Sequence, residues 1–101
     1  MRVIVFFDLP VTSVADRRAY AQFRRQLVRH GFVMMQESVY SKLALNMGAA
    51  SATMDLVRRH KPPAGLVQMM IVTEKQYARM EYVVGERQTE ILESDERTVF
   101  L

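Results

Sequence analysis

The chain has no cysteine, which removes disulfides, thiol chemistry and cysteine-held zinc. With only two histidines beside that absence, a structural zinc centre is excluded as well. Glycine and proline number four and three in 101 residues, and neither a P-loop nor a GxGxxG dinucleotide loop occurs. No apolar run approaches the roughly 20 residues that span a bilayer. Asp8 and Pro10 interrupt the N-terminal apolar stretch too early for a signal peptide, so a cytoplasmic setting and no membrane contact are expected. Ser38 and Ser41 have no histidine nearby in sequence, which leaves a serine–histidine–acid triad without support. Repeats and low-complexity tracts are missing too. A single domain over 1–101 is expected, with a core of about 1–84 and a C-terminal segment of about 85–101. A chain of this size buries about two-thirds of its unfolded surface, so the core has little to spare.

What is present is charge, unevenly placed. Residues 1–61 carry ten Lys/Arg against four Asp/Glu, whereas residues 62–101 carry four against seven. The net +3 hides this asymmetry. A basic first part and an acidic tail point to an anionic partner held by the former.

The apolar run Val3-Ile4-Val5-Phe6-Phe7 reads as a buried strand, closed by Asp8-Leu9-Pro10. Ser13 with Asp16 three residues on predicts a helix start, and Gly31 its stop. On the 3.6-residue repeat Ala19, Tyr20, Phe23 and Leu27 share one side of this helix. Arg17, Arg18, Arg24, Arg25 and Arg29 share the other, around Ala21 and Val28. Residues 32–36 and 38–43 read as two strands broken near Glu37. A second helix is expected over about 47–60, with Met47, Ala50, Met54 and Val57 on its apolar side and Pro62-Pro63 ending it. Residues 66–72 read as a buried strand, Thr73 and Gln76 as a capping box over a short helical turn, and Tyr82-Val83-Val84 as a brief strand before Gly85. An acidic stretch, 86–97, leads to a last short strand, Thr98-Val99-Phe100-Leu101.

The expected fold class is α+β: a ferredoxin-like βαββαβ unit with an additional C-terminal strand. Helices cover one face of such a sheet, and the other needs a partner. Met, Tyr and Val on the strands make it apolar, so a homodimer packed through the sheet faces is expected, with the terminal strand pairing on a partner's edge.

Two features carry candidate chemistry. Asp8, the only acid in the first fifteen residues, stands at a strand end beside a basic helix, which suits phosphate binding or phosphate chemistry. A turn-capping carboxylate is the other reading. Magnesium commonly takes one or two carboxylates together with waters and substrate phosphates, and a two-fold dimer would present two copies of Asp8. The arginine strip suits phosphate oxygens, since the guanidinium fork is planar and bidentate. Few aromatics interleave it, so backbone contact to a duplex is indicated rather than base stacking. A solvated helix face is the alternative. His30 and His60 follow arginines at helix ends and read as C-terminal cations or packing groups. Met34, Met35, Met69 and Met70 read as core and interface filler.

Phe7-Asp8-Leu9-Pro10, Gly31-Phe32, Gln36-Glu37-Ser38-Val39-Tyr40, and Ser94-Asp95-Glu96-Arg97 before Val99-Phe100-Leu101 together resemble the CRISPR-associated protein 2 family. The resemblance runs the whole chain and points to members from systems with a single large effector nuclease. It implies a ferredoxin-like homodimer that bridges dimers of the CRISPR integrase and binds protospacer duplex DNA during spacer acquisition. Members are also described as magnesium-dependent ribonucleases or deoxyribonucleases, which implies Mg²⁺ as cofactor and Asp8 as the catalytic and metal-binding residue. Met34 departs from the pattern, because many members carry a basic residue there.

Three functions are therefore open: a DNA-holding scaffold, a nuclease with paired Asp8 carboxylates, and a regulatory ligand-binding dimer that leaves the arginines unexplained. The dimer expectation is checked by sizing at micromolar concentration. A species of twice the chain mass is expected, and a stable monomer near 11.7 kDa contradicts it.

Overall fold

The computed structural model describes residues 1–86. Strand β1 (Arg2–Asp8), helix α1 (Val14–Arg29), strands β2 (Val33–Gln36) and β3 (Val39–Leu43), helix α2 (Met47–Arg59), strand β4 (Leu66–Val72) and the short helix α3 (Glu74–Ala78) follow in that order.

Local chemistry sets these limits. At the start of α1 the Ser13 hydroxyl accepts from the Asp16 amide at 2.9 Å. The Asp16 carboxylate accepts from the Ser13 amide at 3.2 Å, which completes a capping box. His30 caps the other end, and Gly31 takes a φ of +93° that a side chain rarely adopts. Asn46 caps α2 through the Ala49 amide at 2.8 Å. A second capping box, Thr73 with Gln76, opens α3. The turn between β2 and β3 passes through Ser38 at φ 68°, and the Ser38 carbonyl accepts from the Phe7 amide at 3.0 Å. That bond anchors the hairpin to β1.

The four strands form one antiparallel sheet in the order β2-β3-β1-β4, which is the ferredoxin-like arrangement. β1 lies inside, paired with β3 from Arg2 opposite Leu43 and with β4 from Arg2 opposite Val72. Alternation sends Val3, Val5 and Phe7 to the helix side, where they join Phe23 and Leu27 of α1, Ala50 and Val57 of α2, and Tyr40. Arg2, Ile4, Phe6 and Asp8 fall on the opposite, open side. Leu66 and Met70 of β4 are 54% and 48% exposed there.

Two sequence expectations meet a different outcome. Residues 82–84 form no strand; Val83 and Val84 are 84% and 91% exposed in an irregular segment. Among the described residues they pair with neither edge strand of the sheet, β2 or β4. Met47 is 56% exposed because it lies at the first turn of α2, beyond the sheet. Thr53 takes the buried place instead, at 8% exposure. The short strand expected at 98–101 and the acidic stretch beyond residue 86 lie outside the described residues.

Candidate nucleic-acid interface and strand-end carboxylate

The five arginines of α1 stand on the face turned away from the sheet. All five are exposed, while Phe23 and Leu27 on the inner face are each 2% exposed. The helix buries its apolar stripe and has no other use for the outer face, so the guanidiniums are presented to solvent as a row. Arg24, Arg25 and Arg29, with Gln26 and Val28, border a shallow surface depression. Arg17 also turns back along the helix start, donating from Nη1 to the Val11 and Thr12 carbonyls at 3.2 and 2.9 Å. It thereby ties the loop after β1 to α1.

A second basic group lies at the end of α2. Arg58 pairs with Asp55 one turn earlier, whereas Arg59 and Lys61 border a groove that faces α1 at Gln22 and Gln26. Sequence periodicity located the α1 strip but not this groove, since the groove needs two helices to be placed side by side. The one local hint was the i, i+4 row Gln22, Gln26, His30.

Asp8 ends β1 opposite Leu66 and is exposed. The ion pairs among the described residues join Glu74 to Arg2 and the N-terminus, and Asp55 to Arg58, leaving Asp8 out. Its backbone is held closely. Gly65 takes φ +97°, and a Cβ there would lie 2.8 Å from the Asp8 carbonyl oxygen and 2.8 Å from Leu9 Cδ2. Only glycine lets the loop before β4 pass this close to the strand end. Because Asp8 alternates onto the open face and α1 covers the other, the fold does not bring Asp8 and the arginines together. Among the described residues no three His, Cys, Asp or Glu side chains converge. A magnesium ion at Asp8 would therefore have one protein carboxylate per chain, which fits an ion held mostly by water and substrate phosphate.

A one-sided four-stranded sheet, a basic helix row on its covered side and the Asp8 carboxylate on its open side define a small ferredoxin-like protein. Residues 1–80 match the family model described as CRISPR associated protein Cas2. Over 101 residues the chain is 52% identical to the CRISPR-associated endoribonuclease Cas2 of Treponema denticola, covering the whole of both chains. It is 48% identical to the protein of the same name from Streptococcus mutans, covering all of this chain and 93% of that one. The one from Ligilactobacillus salivarius is 40% identical over the full length of both. This chain belongs to the Cas2 family of CRISPR-associated proteins. No helix among the described residues is long and apolar enough to cross a membrane.

The tight approach at Gly65 makes a testable statement about the Asp8 end of the sheet. Gly65→Ala forces a β-carbon into the Asp8 carbonyl at a positive φ, and is expected to cost about 1–3 kcal/mol of stability. Urea denaturation reads this directly. An unchanged midpoint would show that the loop yields and that the strand end is not held by it.

Proposed function

We propose that this protein is a dimeric scaffold of CRISPR spacer acquisition, which holds protospacer duplex DNA on its helix faces and bridges subunits of the CRISPR integrase. The observation that carries the reading is the row of five exposed arginines on α1, opposite the buried Phe23 and Leu27. Such a row meets backbone phosphates without disturbing the core. Dimerisation through the open sheet face would leave both helix layers outward, with two arginine rows available to one duplex. The exposed Val33, Leu43, Leu66 and Met70 on the strands suit that contact, since an apolar surface gains from leaving water. The wide spread of charge makes the binding one of backbone rather than sequence.

Duplex binding is then expected to be nearly independent of sequence and steeply dependent on salt, because each phosphate contact releases condensed counterions. Arg18→Ala with Arg25→Ala is the cleanest test, since neither side chain has a hydrogen-bonded partner among the described residues. The double variant should bind all duplexes more weakly and flatten the log–log salt slope by about 0.9 per lost contact. Its melting temperature should stay nearly unchanged, because exposed charges contribute little to folding. Unaltered affinity and slope would reduce the row to a solvated face.

A second reading has its own support: Asp8 lies on the open face, and curated relatives of high identity are named endoribonucleases. In a dimer packed through that face, Asp8 from each protomer would stand near the two-fold axis and hold a shared Mg²⁺ with substrate phosphate. The ion would supply charge neutralisation at a phosphodiester and an activated water. Magnesium-dependent cleavage of RNA and DNA by the wild type and Asp8→Asn decides this reading. Loss of cleavage by at least about a hundredfold in Asp8→Asn, with duplex affinity retained, is the expected result for a metal residue. Cleavage that survives the substitution removes Asp8 from the chemistry.

A further inference from the structure

The chain has two histidines, thirty residues apart, and the fold stacks them. His30 caps the end of α1 and His60 the end of α2. Their ring centroids lie 5.3 Å apart with the planes tilted by 33°. His30 Nδ1 is 2.8 Å from the Gln26 carbonyl; a carbonyl only accepts, so Nδ1 carries the proton and Nε2 is the free nitrogen. Among the described residues no hydrogen bond engages the His60 ring.

His60 borders the groove between α1 and the end of α2, a space of about 230 Å³. At roughly 30 Å³ per water, that accommodates a phosphate group with part of its hydration. The polar lining consists of Gln22 and Gln26 from α1 and Arg59, His60 and Lys61 from the end of α2. Pro62 and Pro63 form one wall, whose backbone is restricted by the proline rings. Among the described residues no carboxylate lines the groove. The described charged groups named beside the histidine pair are basic: Arg59 and Lys61 beside His60, Arg29 next to His30 in the chain, and Lys42 of β3, whose ammonium donates to the His30 carbonyl at 2.8 Å. A metal cation would find two imidazoles beside this positive charge. An anion finds amide, guanidinium, ammonium and imidazole donors converging.

The groove also continues the arginine row. Gln22 follows Arg18 by one turn, and Gln26 precedes Arg29 by three residues, so the row's edge leads onto the groove wall. The groove sits on the helix layer, clear of the open sheet face.

We propose that this groove is a phosphate-binding subsite for the nucleic-acid backbone, in which Arg59 and Lys61 supply fixed charge, Gln22 and Gln26 supply amide donors, and the His60 ring closes the contact. The inference deepens the DNA-binding reading and rests on it. The donors of the groove add to those of the arginine row, so removing one of them should weaken duplex binding without touching the row itself.

The test is duplex DNA binding by fluorescence anisotropy across a salt series at one pH. Wild type, His60→Gln and Lys61→Gln are compared, and each variant's melting curve is recorded. His60→Gln should weaken binding about three- to tenfold, the scale of one hydrogen bond. Lys61→Gln should weaken binding likewise and flatten the log–log salt slope by about 0.9. A second readout needs no DNA: added inorganic phosphate should shift the His60 ring-proton resonances in the NMR spectrum, and less so in Lys61→Gln. Unchanged duplex affinity in both variants, or phosphate that leaves the His60 signals unmoved, overturns the subsite while leaving the arginine-row reading intact. Wild type that binds no duplex overturns the DNA-binding reading itself.

Discussion

The Phe7 ring is the contact on which the other elements depend. It packs edge-to-face against Tyr20 and Phe23 of α1, at centroid separations of 5.9 and 5.2 Å, and stacks on Tyr40 of β3 at 5.7 Å. One side chain on the central strand thus fixes the position of the arginine-bearing helix over the sheet and the pairing of the neighbouring strand. The Phe7 amide also holds the β2–β3 turn through the Ser38 carbonyl. Aromatic pairs of this kind add about 0.5–1.5 kcal/mol each beyond the area they bury. Asp8 follows directly in sequence, so this aromatic cluster adjoins the exposed carboxylate.

This arrangement separates two chemistries by one residue of alternation. Phe7 faces the helices and Asp8 faces away from them. The arginine row and the end of α2 share the helix layer, and the carboxylate has the open face. A helix surface proposed to hold DNA and a sheet surface proposed to hold a metal with a second protomer need not compete for the same phosphates. Relatives named for ribonuclease activity and a helix layer suited to duplex backbone are for that reason compatible within one fold.

Electrostatics follow the same division. Three of the acids among the described residues are used locally: Asp16 in a helix cap, Asp55 with Arg58, and Glu74 with Arg2 and the N-terminus. Arg2 in turn lies 4.1 Å from the Tyr77 ring centroid, which joins α3 to the start of β1. Among the described residues the arginines of α1 meet no acid in this way. Their mutual repulsion is tolerated because the helix is held from beneath by Phe23 and Leu27 and capped at both ends.

Local chemistry was enough to read most of the elements. Period-two and 3.6-residue patterns, two capping boxes, Gly31 and the Pro62-Pro63 pair locate β1, α1, α2, β4 and α3 to within a residue or two, because each depends on neighbours close in the chain. The arginine row is legible for the same reason: a helix converts spacing directly into a face. Residues 82–84 look like a strand by composition, yet a strand exists only where an edge accepts it, and that is a property of the assembled sheet. The glycine at position 65 is silent in sequence; its role comes from passing the Asp8 carbonyl, a contact between segments more than fifty residues apart. His30 and His60 read separately as helix-end cations. Only the packing of α2 against α1 places their rings together and gives the groove its donors, since convergence of distant residues is decided by the core that positions both helices.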